Sequence, residues 1–551
     1  MDEIRVAFAG HSRPEDLGDI SGIDAGLTQA FDLVKGLASQ GVLLTGLAAG
    51  ADQRAAKLWT QSGLGRIHAI LPHLDEALEP QTVDLAAATT WLDGARIEAE
   101  GRNPHLSQTR WLMEDADLLI AVWTGEAGRG AGGTADAVLV ALRRGIPVVW
   151  VKPGKSAALS LILPDALDDD FGFLEFLEQL KRNRAPLVRP ATLETLRAAI
   201  GEPPAGPAVL ETPSRAWPDN LLDATLWRTF EIYSRIMGGA RIKGEPPRPA
   251  PESLAAQDGF QALSEAYEAA DARAGRLAAV HRSQQVFQAG MMILAAAVGA
   301  SPAVWPHIKI YAVYTELGLA LLTFAVWFTA VRSERSRRWG EARRLAEQLR
   351  LERAAWALGI STRDERPSRE DGGAVHTAWA WRRQAGSPVG RFDAERVKAW
   401  GGWAMDQLVD GQILYHRGHG HLNHRLSHAS HLLENLVFWL FVLLLGGFAV
   451  AYSVDHAGLP HWLGGVVMLT GAVAPAFGAA SLALEAALAF SEQSRRSDRL
   501  VQDLSAIARR FSPDSDLERL QQAARAAIRL QVSQEDRWSE DAAHRHQVRA
   551  G

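Results

Sequence analysis

The sequence predicts an α/β domain with a parallel sheet, followed by an α-helical region that crosses a membrane four times. Residues 1 to about 155 alternate short apolar runs with helical patterns, and four stretches of about 20 predominantly apolar residues follow later in the chain. The 551 residues carry a net charge of −6 and include no cysteine. This composition gives no basic signal for nucleic-acid binding and excludes disulfides and thiolate metal sites.

Short apolar runs in the first 155 residues predict strands, and the segments between them predict helices. We expect strands at 5–9, 42–44, 67–71, 118–123 and 146–151, and helices at 24–39, 51–61 and 135–143. Continuous apolar strands separated by helices indicate a parallel sheet that is covered on both faces. Such sheets bind ligands at the carboxyl ends of their strands.

The four apolar stretches lie at 286–305, 310–331, 436–454 and 462–490, and each can cross about 30 Å of hydrocarbon. Arginines precede and follow each pair, whereas one Lys lies in the connector 301–309 and no Lys or Arg lies in 455–462. The positive-inside rule therefore predicts a multi-pass protein of the cytoplasmic (inner) membrane with both termini in the cytoplasm. No secretory signal is visible at the start of the sequence. Two buried hairpins of a soluble helical core are the alternative.

The two pairs of spans repeat short motifs at corresponding places. Asp271 is followed by His281-Arg282 and Asp406 by His416-Arg417 at the same offsets, and residues 333–338 (SERSRR) match residues 491–496 (SEQSRR). We infer a duplicated two-span unit. Each copy continues as a cytoplasmic amphipathic helix with apolar residues at helical spacing, and a solvated single helix is the alternative. The apolar positions are Ala342, Leu345, Leu349 and Trp356 in one copy, and Leu500, Leu504, Ile507 and Phe511 in the other.

Three loops at the carboxyl ends of the predicted strands have the composition of an anion-binding site. Their candidate ligand-binding residues are Gly10, His11, Ser12 and Arg13, then Thr45, Gly46, Gly50 and Asp52, and finally Gly132, Gly133 and Thr134. Glycine lets the backbone approach a phosphate, and free N–H groups at a helix start attract it. Tight strand-to-helix turns are the alternative for any one loop. The loops match neither a Walker A lysine pattern nor a dinucleotide-binding first turn.

Residues 45–52 (TGLAAGAD), 110–125 (RWLMEDADLLIAVWTG) and 132–136 (GGTAD) resemble the SLOG superfamily, which contains the SMF/DprA and LOG proteins. The resemblance covers about 150 residues. It implies a Rossmann-like domain that binds a nucleotide or cyclic-nucleotide-type ligand, with no other cofactor. Some LOG members cleave the N-glycosidic bond of a nucleotide, but this chain matches their catalytic motif only partly. The resemblance makes Arg110, as a phosphate clamp, and Asp136, as a general base or ribose ligand, the catalytic candidates.

A second resemblance lies in the membrane half of the chain. Two spans followed by residues 336–350 (SRRWGEARRLAEQLR) resemble the SLATT group of two-span effectors. Members of this group are thought to form pores or disrupt membranes in response to a nucleotide signal in prokaryotic antiviral defence. The two resemblances imply a homo-oligomeric membrane effector that senses a nucleotide-derived signal and alters membrane permeability. A membrane-tethered nucleotide N-glycosidase and a solute transporter are the alternatives.

These features divide the chain into five predicted parts. Residues 1–200 form the nucleotide-binding domain, and 201–252 are proline-rich linkers around a short helix at 221–237. The first two-span hairpin with its cytoplasmic helices occupies 253–356, a connector occupies 357–405, and the second hairpin occupies 406–551.

Several polar residues near or within the predicted spans are candidates for a functional role. His421, His424, His428 and His431 lie on one helical face, where they could bind a metal or titrate together. A polar helix face is the favoured interpretation, so no metal is expected. Glu316 and Glu485 lie inside predicted spans, where a carboxylate is costly. Glu316 either lines a conduction path or reaches back to the membrane surface. Glu485 lies near the inner end of the fourth span, where reaching out to the surface is the favoured interpretation.

Overall fold

The fold of the protein is given by a computed structural model. The model describes residues 3–13, 19–72, 83–92, 104–128, 132–154, 159–164, 173–181, 188–201, 228–238, 248–363, 367, 371–454, 459–510 and 515–550. Phe511 and most of the predicted linker region 201–252 lie outside these residues. Within that region, the structure describes a helix at Thr229–Gly238, which overlaps the short helix predicted at 221–237.

The N-terminal part contains a mixed sheet that is mostly parallel. Its strands are β1 (Glu3–Gly10), β2 (Gln40–Thr45), β3 (Gly65–Leu71), β4 (Ala88–Trp91), β5 (Leu118–Val122), β6 (Val148–Val151), β7 (Leu159–Ile162), β8 (Val188–Pro190) and β9 (Gly390–Arg391). In the described residues the strand order is β8-β7-β6-β5-β1-β2-β3-β4-β9. All neighbours pair in parallel except β6–β7 and β7–β8. The five predicted strands are confirmed, and they are the apolar runs β1, β2, β3, β5 and β6.

Helices cover both faces of the sheet. They are α1 (Ile20–Leu37), α2 (Ala51–Ser62), α3 (Pro104–Glu114), α4 (Thr134–Arg143), α5 (Phe173–Lys181) and α6 (Leu193–Ile200). On one face α1, α2 and α6 bury a core around Phe8, Phe31 and Trp59, and the rings of Phe31 and Trp59 meet edge to face at 5.1 Å. The other face packs on α3, α4 and α5, and its core continues into the helical region.

The remaining elements form the helical region. They are α7 (Thr229–Gly238), α8 (Glu252–Ala255), α9 (Asp258–Ala300), two 3-10 turns (Ser301–Ala303 and Pro306–Ile308), α10 (Lys309–Arg332), α11 (Arg335–Ala357), α12 (Gly373–Ala385), α13 (Ala394–Met405), a π-helical turn (Asp406–Asp410), α14 (Gly411–Val454), α15 (His461–Leu488), α16 (Phe490–Ala508) and α17 (Leu517–Ala550).

Four of the described helical segments are long and apolar enough to span a membrane, and they contain α9, α10, α14 and α15. Their apolar windows are only 0%, 11%, 0% and 6% buried, so the alternative of buried hairpins is not supported. Leu321 and Leu443 are 61% and 71% exposed. An α-helix is stable in hydrocarbon because its backbone groups form hydrogen bonds within the helix. The exposed apolar side chains of these helices are therefore compatible with contact with lipid.

Both hairpins end in the same kind of helix break. Glu334, between α10 and α11, and Ala489, between α15 and α16, have left-handed backbone conformations with φ of 48°. An L-residue in this conformation costs about 1–2 kcal/mol. The shared break agrees with a duplicated unit in which each outgoing span continues as a separate helix. We use the term helical extensions for α11, α16 and the segments of α9 and α14 that precede their apolar windows.

The connector predicted at 357–405 contributes one strand to the sheet. Its strand β9 adds to β4 as an edge strand, and the Phe392 N–H donates to the Trp91 carbonyl at 2.7 Å. Thr90 donates its hydroxyl to the Pro388 carbonyl at 2.7 Å. Phe392 then packs edge to face on Trp111 of α3, with ring centroids 5.0 Å apart. The sheet and the helical region therefore share one core.

A buried ion-pair cluster lies at the amino end of β5, where the sheet meets α12. It consists of Arg5, Asp115, Asp117, Arg382 and Arg383. Arg382 lies 3.0 Å from Asp115, and Arg383 donates to Asp117 at 2.7 Å. Burial opposes ionisation of Asp115, but the adjacent Arg382 and Arg5 guanidinium groups outweigh it and hold its pKa below the ordinary value. Arg382 and Arg383 pair with these aspartates across the boundary, so docking of the two parts brings their opposite charges together.

Asp115→Asn should therefore destabilise the protein strongly. The substitution removes the carboxylate that the buried Arg382 guanidinium contacts at 3.0 Å and leaves Arg382 with the more distant Glu352 at 3.9 Å. Breaking a buried ion pair in this way costs about 3–5 kcal/mol. Arg66→Gln is the matched control, because the Arg66–Glu3 pair at 3.0 Å has an Arg66 side chain that is 58% exposed. It should cost less than about 1 kcal/mol. Thermal unfolding in detergent measures both, and equal stabilities of the two variants would contradict a docking role for the cluster.

Candidate functional site

A cavity of about 450 Å³ lies at the carboxyl ends of β1 and β2 and beside the end of β5. The strand order reverses at β1, because the chain continues to β2 on one side while β5 pairs on the other. A crevice forms at such a reversal, since the loops leaving the two strands diverge. Most of the sequence-predicted ligand residues line this cavity, namely Gly10, His11, Ser12, Arg13, Gly46, Asp52, Gly132, Gly133 and Thr134.

The first loop follows β1 and is tied to the loop that follows β5. The backbone N–H of Thr124 donates to Nε2 of His11 at 3.1 Å, so this ring nitrogen carries no proton. Ser12 and Arg13 continue along the cavity wall and are exposed to solvent. A ligand that fills the cavity therefore contacts both sides of the strand-order reversal.

The second loop is organised from within by Asp52. The Asp52 carboxyl group is buried and accepts from the Thr45 hydroxyl at 3.3 Å and from the backbone N–H groups of Gly10, Gly46 and Ala48. Burial raises the pKa of Asp52 to about 7, although these hydrogen bonds oppose the shift. A carboxyl group inside the protein thus occupies backbone donors that a phosphate would otherwise use.

Gly50 begins α2 with φ of 91° and lies directly beneath the first loop. A Cβ at this position would lie 2.8 Å from the carbonyl oxygens of both His11 and Ser12. The Ala51 N–H donates to the His11 carbonyl at 3.2 Å, so the start of α2 supports the first loop. The glycine is required for this close approach between backbones.

The third loop presents the start of α4 to the cavity. Gly133 is the N-cap residue, and Thr134 and Ala135 follow it in the cavity wall. An α-helix has no internal partner for its first N–H groups, so this end attracts an anion. The Asp136 carboxylate accepts the Gly132 N–H at 2.6 Å and fixes the turn. The start of α4 is accordingly the best phosphate position in the cavity.

Neither catalytic candidate lines the cavity. Arg110 projects from α3 toward α17, where it forms a 2.8 Å ion pair with Glu518. Asp136 is held by the turn before α4 through its bond to Gly132. Neither residue is therefore placed to contact a ligand in the cavity.

Sequence reasoning missed five polar residues of the cavity wall. They are His105, Gln108 and Thr109 of α3, and Thr124 and Glu126 after β5. Gln108 donates to the Ile70 carbonyl at 2.7 Å, and Thr109 donates to the Gly132 carbonyl at 3.1 Å. The position of Thr124 immediately after an apolar strand was a usable signal. The contribution of α3 depends on tertiary packing and had no local signal.

The polar residues of the membrane region have local contacts. Glu316 is exposed, and its carboxylate lies against Gly299, one residue before the end of α9. Glu485 accepts the Ser491 N–H at 2.9 Å across the break at Ala489, so it caps α16. His421, His424, His428 and His431 are exposed on α14. In the part of the chain that the structure describes, no group of three or more His, Asp or Glu residues is placed to hold a metal ion.

The fold and the cavity define a protein with an α/β sheet domain, a ligand-sized cavity at its carboxyl edge and four helices able to span a membrane. Comparison with protein-family models and with curated protein sequences gives no match for the chain. Its function is therefore inferred from its own residues.

The buried Asp52 carboxyl group should make stability depend on pH. Its pKa rises from 3.8 to about 7 on folding, so ionisation disfavours the folded state increasingly between these values. Asp52→Asn removes this effect, and its free energy of unfolding relative to wild type should rise across this range by roughly 3–4 kcal/mol. Unfolding measured over roughly pH 4 to 8 tests this.

Asp19→Asn is the control of opposite sign. The Asp19 carboxylate caps α1 by accepting the Ser21 side-chain and backbone donors, which lower its pKa. Its contribution is present at neutral pH and is lost as the pH falls, so this variant should lose stability relative to wild type as the pH rises. Parallel pH dependence of the two variants would contradict the assignment of Asp52.

Proposed function

We propose that the protein is a membrane effector that binds a nucleotide-derived signal at the sheet edge and alters membrane permeability in response. One observation carries the proposal: α3 lines the cavity with its first turns and contacts the helical region with its last. The resemblance to SLOG and SLATT proteins supports a Rossmann-like sensor joined to a duplicated two-span effector. Antiviral or stress defence in a prokaryote is the proposed context.

The cavity suits a nucleotide in size and chemistry. Its volume of about 450 Å³ lies within the range of about 300–1,000 Å³ that small-molecule sites occupy. Phosphate oxygens would accept from the N–H groups at the start of α4, and Arg13 supplies a positive charge at the rim. The side chains of Thr124, Gln108 and Glu126 offer polar contacts for a base or ribose.

The geometry favours sensing over hydrolysis. A nucleotide N-glycosidase needs its acid or base within hydrogen-bond reach of the scissile bond, whereas Arg110 and Asp136 lie outside the cavity wall. The membrane-tethered N-glycosidase is therefore the second candidate. Recovery of intact nucleotide after incubation with the protein distinguishes the two functions.

Transmission from cavity to membrane follows α3. The Glu114 carboxylate at its end accepts the Ser361 N–H at 2.7 Å and pairs with Arg525 of α17. The chain at Ser361 follows α11, which continues from α10 after the break at Glu334. Shifting a closed state from 99% to 1% needs about 5.5 kcal/mol of differential binding, which several subunits of a homo-oligomer could share. We place both termini in the cytoplasm, beneath the cytoplasmic membrane.

Liposomes loaded with an ion reporter and a dye test the proposal. Wild-type protein is first screened by thermal shift against nucleoside phosphates, cyclic nucleotides and nicotinamide dinucleotides. A nucleotide that binds should cause ion or dye release. Gly50→Val should bind at least about tenfold more weakly and release nothing, because its side chain displaces the His11 and Ser12 carbonyls.

Gly63→Val is the matched control. Gly63, at the other end of α2, also has a positive φ, of 64°, but a Cβ there meets nothing within 4 Å. This variant also places a β-branched residue at a positive φ but does not touch the cavity, so it should bind and release as wild type does. Sealed vesicles at saturating nucleotide would reject the effector function, and release of free base would then establish the N-glycosidase.

A further inference from the structure

A second cavity, of about 210 Å³, lies among the helical extensions and is separate from the sheet-edge cavity. Its walls come from α9, α11, α14, α16 and α17, so both hairpins contribute. Arg282 lies four residues before the first predicted span, and Arg496 lies six residues after the last. The cavity therefore opens close to the level where the helices enter the membrane.

The side chains that line this cavity carry an excess of positive charge. Four arginines face it together with one carboxylate, that of Glu347, and the arginines are Arg282, Arg343, Arg350 and Arg496. Burial opposes ionisation of Glu347, but Arg343 and Arg350 outweigh it and hold the pKa of its carboxyl group at about 2. Asp271, outside the wall, lies 3.8 Å from Arg343. Burial lowers the pKa of His416 to about 4, so this ring is a neutral hydrogen-bonding group at neutral pH.

One of these arginines, Arg350, is held in place by neighbouring polar groups. Arg350 donates to the Gln407 carbonyl at 2.9 Å and to the Gln531 side chain at 2.6 Å. Gln531 in turn donates to the Leu408 carbonyl at 3.0 Å. Both carbonyls belong to the π-helical turn that precedes α14, and such turns are frequent at functional sites. Three N–H donors of Arg350 are thus bonded within the protein, so Arg350 supplies a fixed positive charge to the cavity. The guanidinium groups of the other three arginines are the ones suited to bind phosphate oxygens.

The volume limits the ligand to a small group. At about 30 Å³ per water molecule, 210 Å³ corresponds to about seven waters, and it falls below the range of about 300–1,000 Å³ for larger ligands. The enclosed space therefore holds less than a whole nucleotide. A phosphate or pyrophosphate group fits, whether it is free in solution or part of a phospholipid headgroup.

We propose that this cavity binds a phosphate group that bridges the two hairpins. The phosphate contacts Arg282 and Arg343 of the first copy and Arg496 of the second, and it fixes the spacing between their helical extensions. The site is independent of the nucleotide function proposed for the sheet edge, because the two cavities share no residues.

The test uses the full chain in nanodiscs. In neutral phosphatidylcholine, inorganic pyrophosphate is titrated by calorimetry, and in discs containing phosphatidylglycerol, thermal unfolding is measured. Arg343→Gln and Arg496→Gln should weaken pyrophosphate binding at least about tenfold or abolish the stabilisation by anionic lipid. Arg495→Gln, an exposed neighbour, is the matched control and should behave as wild type. Gly50→Val should also retain this binding, which separates the site from the sheet edge.

Either source of phosphate supports the proposal when its effect is lost in the two variants and kept in Arg495→Gln. If Arg343→Gln does not fold, Arg282→Gln at the partly exposed rim of the cavity provides the same comparison. Absence of pyrophosphate binding and of anionic-lipid stabilisation in wild type overturns the proposal. Equal binding by wild type and by the cavity variants overturns it as well.

Discussion

The Glu114 carboxylate joins the sheet to the helical region, and the packing of the two parts depends on it. It is 2% exposed, and it forms a two-oxygen contact with Arg144 of the sheet part, with both N–O distances at 2.8 Å. It also pairs with Arg525 of α17 and accepts the Ser361 N–H. A buried carboxylate is tolerated only when it is fully paired, so this residue ties three distant chain segments together. The first turns of the same helix form the cavity wall.

The packing of α3 against the helical region is tight. Trp111, near its middle, packs on Phe392 and allows no side chain at Gly359, where a Cβ would lie 2.0 Å from its ring. Packed interfaces shift between discrete arrangements rather than deform continuously. A ligand that moves the start of α3 would therefore act on the helical region through a rigid element.

The elements that depend on local sequence patterns could be predicted from the sequence. The apolar runs of β1, β2, β3, β5 and β6 and the four candidate spans could be identified, because their periodicity and length are sufficient signals. The two-residue strand β9 could not, since its pairing with β4 joins residues some 300 positions apart. The role of Asp52 was likewise hidden, because its donors come from two loops.

The strained breaks at Glu334 and Ala489 separate the apolar spans from α11 and α16, the helices that follow them. Backbone strain persists only where surrounding contacts enforce it, and Glu485 is one such contact at Ser491. A movement of the helical extensions would be transmitted to the spans through these two positions.

Hydrogen exchange on the full chain, with and without a bound nucleotide, tests the central claim that the cavity and the helical region are coupled through α3. We predict altered protection in 104–114, in 358–363 and in the first turns of α17, because Glu114 joins these segments. A change confined to the loops after β1, β2 and β5 would contradict the claim.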